Sequence, residues 1–405
     1  MNEQRLRELL RDVPVPEERE SEERGLRLVR AGYERRPQPP RRPRLGRLAV
    51  ALAVGLLLGA LVLSPAGAGV RDWIDEVFEA GVDDAEPALT RLPGGGRLLV
   101  DSSQGPWLVQ PDGSRRLLGN YEQAGWSPRG LFVIASGEGT LTALEPDGDP
   151  RWSLSQASPI SDARWSPSGF RIGYRAGRSL RVVAGDGTGD RLLAPAAAAV
   201  APSWWPGTAH LLAYVDSEGA IRAVNADTGA GLGSTPALPG VESLAFAPEG
   251  SLLLEVSSDS IRIRALAPWK TGGKLAFGAA RRLPIPAGAA VRGAVFAPSG
   301  EAIAMLITLP ASPQRPPHSE LLIAGAEGTK ARRVFAAPGH FEDLAWSPDG
   351  RRILVSWREA DQWLFIPATG GGRATAVDRI SSQFSPGEGE SRFPSVAADA
   401  WCCPR

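Results

Sequence analysis

Few side chains in this chain have the type and spacing that chemistry requires. The three histidines, His210, His318 and His340, stand far apart and in no metal-ligand spacing, so each reads as a strand or loop residue. No G-x-S-x-G elbow occurs, which weighs against a hydrolase built around that nucleophile. Asp186-Gly187-Thr188-Gly189-Asp190 opens like a calcium loop but lacks the glycine at the sixth position and the closing glutamate, which leaves a hairpin turn. The glycine run 94–96 has no strand-to-helix setting in which to cradle phosphate. Cys402 and Cys403 are adjacent and too few for a disulfide framework or a cysteine zinc site. They are either a vicinal disulfide, as an oxidising compartment allows, or two thiols. No catalytic, cofactor-binding or metal-ligating residue is assigned from these signals.

The better binding candidates lie where the chain departs from its own repeat. One excursion, Pro268 to Arg282, carries Trp269, Lys270, Lys274, Phe277, Arg281 and Arg282. The other, Pro310 to Glu320, carries Pro310, Pro313, Pro316 and Pro317. Loops that exceed the repeat length on a rigid scaffold are where binding concentrates.

The repeat is an aromatic residue, a small residue, Pro, any residue, then Gly. It appears as WSPRG at Trp126, WSPSG at Trp165, FAPEG at Phe246, FAPSG at Phe296 and WSPDG at Trp346, with degenerate copies at Trp204 and Phe384. The starts lie 39, 39, 42, 50, 50 and 38 residues apart, a period of stacked or radial repeats. Ser-Pro-x-Gly fits a type I turn, with Pro fixing φ at its second corner. After each turn comes a strand-like run, then a second, then a Gly- and Asp-rich hairpin such as Pro146-Asp147-Gly148 or Asp227-Thr228-Gly229, then a third. One unit is therefore a four-stranded blade begun by its aromatic anchor. Residues 97–118 supply three strands of a unit without an anchor strand, and Ser381 to Pro386 is expected to supply that strand. Joining the two ends gives an all-β, seven-bladed propeller closed by N- and C-terminal strands, with no open sheet left in the ring.

The WSPDG turn, following strand and DG hairpin resemble the TolB-like class of WD-related propeller repeats, found in many exported bacterial proteins. The resemblance covers residues 97 to about 387 and implies the fold rather than a function. The Trp-Asp pair of typical WD repeats is missing at its strand end, and Gly339-His340 lies closer to Trp346 than the Gly-His pair of those repeats.

Formal net charge is zero, which argues against a nucleic-acid binder. Among 45 basic residues only Lys270, Lys274 and Lys330 are lysines, a bias we read as a high-GC bacterial genome. Residues 1–47 form an Arg- and Pro-rich tail with two short amphipathic stretches, expected to be largely disordered and able to dock a cytoplasmic partner. Residues 48–70 carry no charge and are expected to cross the membrane once. Six arginines precede them between positions 35 and 47 and acids follow, placing the N-terminus in the cytoplasm and the rest outside. A signal peptide cut after Ala68 competes with this anchor, but 47 residues ahead of an apolar run are long for one. Residues 71–93 read as a juxtamembrane helix or linker and 94–405 as the exported propeller. The layout resembles an actinobacterial membrane protein.

The function expected from these features is that of a non-enzymatic, membrane-anchored binding, sensor or scaffold protein facing an envelope ligand or protein partner. One alternative is a transmembrane regulator laid out like an anti-sigma factor, although the tail lacks the His and Cys of the zinc-containing kind. Another is an exported propeller lyase or hydrolase, which needs carboxylates and arginines converging on the central funnel.

Overall fold

A computed structural model describes Val82 and residues 85–269, 273–312, 316–385 and 392–403. The tail 1–47, the apolar run 48–70 and residues 71–81 lie outside them. Among the described residues no helix is long and apolar enough to cross a membrane.

Among the described residues, twenty-eight strands form seven antiparallel four-stranded sheets. Six blades are continuous in sequence. They are blade 1, β4 (Gln123–Trp126) to β7 (Pro150–Ser155); blade 2, β8 (Ile160–Trp165) to β11 (Arg191–Ala194); and blade 3, β12 (Ser203–Trp204) to β15 (Gly231–Ser234). Blade 4 runs from β16 (Val241–Phe246) to β19 (Phe277–Arg282), blade 5 from β20 (Ala290–Phe296) to β23 (Arg332–Pro338), and blade 6 from β24 (Phe341–Trp346) to β27 (Thr375–Asp378). Blade 7 joins β1 (Arg97–Ser102), β2 (Gly105–Val109) and β3 (Arg115–Leu117) to the C-terminal β28 (Trp401–Cys402). The seven blades and the mixed closure agree with the repeat count.

The closing strand is not where the motif places it. Phe384 lies on the short helix α1 (Ile380–Phe384), and Trp401 and Cys402 pair with Leu98 and Arg97. The reason is packing. Ile380 and Phe384, four residues apart, bury on one helix face, and Phe384 sits against Trp107 of blade 7 and Trp363 of blade 6. Phe384 is thus a plug between the last two blades, and Trp401 takes the anchor position assigned to it.

The other anchors, Trp126, Trp165, Trp204, Phe246, Phe296 and Trp346, each end the first strand of a blade. In the turn after Trp126 the Gly130 amide donates to the Ser127 carbonyl at 2.8 Å, and Gly130 has φ 62°. The Ser127 hydroxyl accepts from the Phe132 amide at 2.9 Å, and Ser347 serves Arg352 in the same way. Pro and Gly therefore suit the turn itself, and Ser, where it stands, adds a side-chain bond across it.

Middle strands such as Val133–Gly137 are wholly buried, whereas the outer strand Pro150–Ser155 is mostly exposed. Apolar clusters lie between neighbouring sheets. One joins Ile134 and Leu141 of blade 1 to Ile172 and Tyr174 of blade 2. The linker also belongs to the ring: Val82 and Glu86 pair in parallel with Ala374 and Val377, and Leu89 and Leu92 are buried.

Candidate functional site

Strand order sorts the two excursions onto opposite faces of the ring. The segment between the third and fourth strands of blade 4 shares a face with the anchor turns. The segment between the second and third strands of blade 5 lies on the other.

On the anchor-turn face, Trp269 packs edge-on against Trp205 at 5.5 Å and donates to the Gly273 carbonyl. Lys274 Nζ donates to the Gly231 carbonyl at 2.7 Å, and the Leu275 amide donates to the Leu232 carbonyl. These residues clasp blade 4 to the outer strand of blade 3. Lys270 lies outside the described residues. Phe277, Arg281 and Arg282 stand on β19 rather than in a loop, because their backbones complete the sheet beside Leu266, Ile263 and Arg262.

Arg282, at the far end of β19, donates to the Asp259 carbonyl at 2.6 Å. Both border a surface cavity of about 460 Å3 whose wall is Leu283 to Ala289. Pro310, first residue of the second excursion, lies beside Gly288 on that wall. The structure thus joins Arg282 to the second excursion and separates it from Trp269 and Lys274.

Carboxylates and arginines also meet at the inner strands, far from any signal in the sequence. Arg164 Nε lies 2.8 Å from an Asp399 oxygen, pairing blade 2 with the entry to β28 in blade 7. Blade 1 lies between those sheets, so the pair spans its inner edge. Burial pushes the Asp101 carboxyl up to about 7 despite the nearby Arg164 and the Ala124 amide, and one of its oxygens, Oδ1, has no hydrogen-bond partner. Burial likewise pushes Asp343 up to about 6, against hydrogen bonds from Ser356 Oγ and the Val396 amide. The Asp101 backbone pairs with Ser395 in both directions at 2.9 Å. Asp101, Asp343 and Arg164 all hold the segment that leads into β28.

A third cluster links blades 2 and 3 on the anchor-turn face. Ser168 Oγ lies 2.9 Å from His210 Nε2, and His210 Nδ1 lies 2.7 Å from Asp227 Oδ2. Asp227 also accepts from Arg171 Nε at 2.8 Å. Burial raises the Asp227 carboxyl, but the bonds from His210 and Arg171 outweigh it and hold the group below its usual range. The residues come from three separate turns, and no spacing in the sequence relates them.

In the calcium-like stretch Asp186 accepts from the Thr188 amide and hydroxyl, while Asp190 turns to Tyr174, Gln156 and Arg181. The stretch is a hairpin turn, and no metal-ligating cluster occurs among the described residues.

No protein-family model matches the chain, and no curated protein does. Solved structures do. The β-propeller domain of Cps50 (Swd1) from Myceliophteria thermophila is 14% identical and covers 65% of this chain and 94% of its own, with a TM-score of 0.51. TolB from Acinetobacter baumannii is 17% identical over 75% of this chain and 67% of its own, at a TM-score of 0.45. Hydrazine synthase of Kuenenia stuttgartiensis is 15% identical over 60% and 75%, at 0.46. The likeness is one of fold. At 14% identity the likeness to the Cps50 domain carries the β-propeller and no activity.

Proposed function

We propose that this chain is a membrane-anchored binding protein. Residues 48–70 hold it in the membrane, the N-terminus stays in the cytoplasm, and the propeller is presented outside to a protein or envelope ligand. The observation that carries the reading is the cavity of about 460 Å3 bounded by Arg282, Asp259 and 283–289, with the second excursion beside it. A rigid ring holds that wall in place while exposed Pro284 and Pro286 limit its conformational freedom, so little ordering is needed when a partner docks. The Cys402–Cys403 disulfide supports export, since such bonds persist in oxidising compartments. The inner-strand acids are largely engaged in holding residues 392–400, which favours binding over chemistry in the funnel.

Photo-crosslinking in the native cell tests this reading. A crosslinker at position 286 should capture a discrete partner, and Arg282→Glu should remove the adduct. The same adduct from position 192, on the outer strand of blade 2, would contradict it.

A further inference from the structure

Beyond binding, we propose that Ser168, His210 and Asp227 form an acyl-transfer site that hydrolyses carboxylic esters with apolar acyl groups. Asp227, held below its usual range by His210 and Arg171, accepts, so His210 donates to it from Nδ1, and in that tautomer Nε2 is the nitrogen left to accept. Ser168 Oγ, 2.9 Å from Nε2, then donates its proton there. Ser166 Oγ, 2.9 Å from Ser168 Oγ, satisfies the serine from behind. Nucleophile, base and orienting carboxylate thus stand in the order that activates a serine, whatever the fold that carries them.

The surroundings suit an ester. The Phe170 amide donates to Ser168 Oγ at 3.2 Å and holds the hydroxyl in its turn. Phe170 itself is 67% exposed and offers an apolar surface to the acyl chain. His210 is only 12% exposed, so its ring is held beside the half-buried serine. In the first step Oγ bonds to the ester carbon and its proton passes to Nε2. The carbon–alkoxide bond then breaks, and the alkoxide leaves with that proton as the alcohol. Water next attacks the acyl-serine, gives a proton to Nε2, and releases the acid as Oγ regains its proton.

The full chain in detergent, treated with a fluorophosphonate probe and digested for peptide mapping, provides the test. Phosphonylation is expected at Ser168, absent in Ser168→Ala and slowed about 100-fold in His210→Gln, the scale of general-base catalysis. Asp227→Asn, which alters a positioning residue, should shift the acid limb of the labelling rate against pH. The wild type should turn over p-nitrophenyl butyrate, and Ser168→Ala should not, while melting at the wild-type temperature. An unlabelled Ser168 in protein with a native melt would overturn the proposal, as would equal labelling in His210→Gln or no turnover by the wild type. Each outcome is separate from capture at position 286.

Discussion

The indole Nε1 of Trp126 donates to the carbonyl of Ala400 at 2.8 Å, and so the first full blade is tied to the last strand of the chain. The same bond recurs at two other anchors. Trp204 donates to Arg164 at 2.9 Å and Trp346 to Val295 at 3.4 Å. Each acceptor immediately precedes the anchor of the blade before, which identifies Trp401 as the seventh anchor. Trp126→Phe keeps the packing and removes the bond, and a loss of about 1 kcal/mol is expected in denaturant unfolding. No loss relative to wild type would break the link between this bond and ring closure.

Trp401→Ala should cost about 3–5 kcal/mol, as large buried aromatic truncations do, and should expose β1 to proteolysis because its partner strand is lost. Phe384→Ala should cost a similar amount through the cluster it shares with Trp363, yet leave β1 protected. Limited proteolysis with mass mapping distinguishes the two, and equal cleavage at β1 in both would contradict the assignment of the closing strand.

Asp101 gives the fold a pH dependence. Its carboxyl titrates near 7 when folded against about 4 when unfolded, so the folded state binds the extra proton between those values. The stability tied to that proton is present in full below pH 4 and is lost as pH rises through 7. Asp101→Asn, which cannot ionise, should therefore match wild type near pH 4 and exceed it at pH 8 by roughly 4 kcal/mol. Denaturation midpoints at the two pH values check the sign, and a deficit at pH 8 would contradict it.

Gly233→Ala places a Cβ 2.3 Å from the Leu275 carbonyl, in the clasp between blades 3 and 4. Loss of the clasp should free Lys274 for tryptic cleavage and lower stability by about 1–3 kcal/mol. Unchanged resistance at Lys274 would show that the segment does not depend on blade 3.

The blade count was legible because the anchor turn is local physics. Pro and Gly each answer a demand within six residues of chain, so the pattern survives wherever a blade needs it. The closing strand was not legible, since Trp401-Cys402 is chosen by what pairs with β1, and the FSPG that imitates an anchor is overruled by the burial of Ile380 and Phe384. The candidate sites show the same division. Pro268–Arg282 stood out as an interruption of the period, but whether its side chains bind or clasp depends on neighbours one blade away. Arg164 with Asp399, and Ser168 with His210 and Asp227, meet only after the ring has formed.

The central claim is an exported propeller on a retained anchor, and protease treatment of intact cells tests it most directly. With tags at both ends, the account predicts that the propeller is digested from outside while residues 1–47 survive attached to the membrane. A propeller that is protected until the cells are lysed would contradict it.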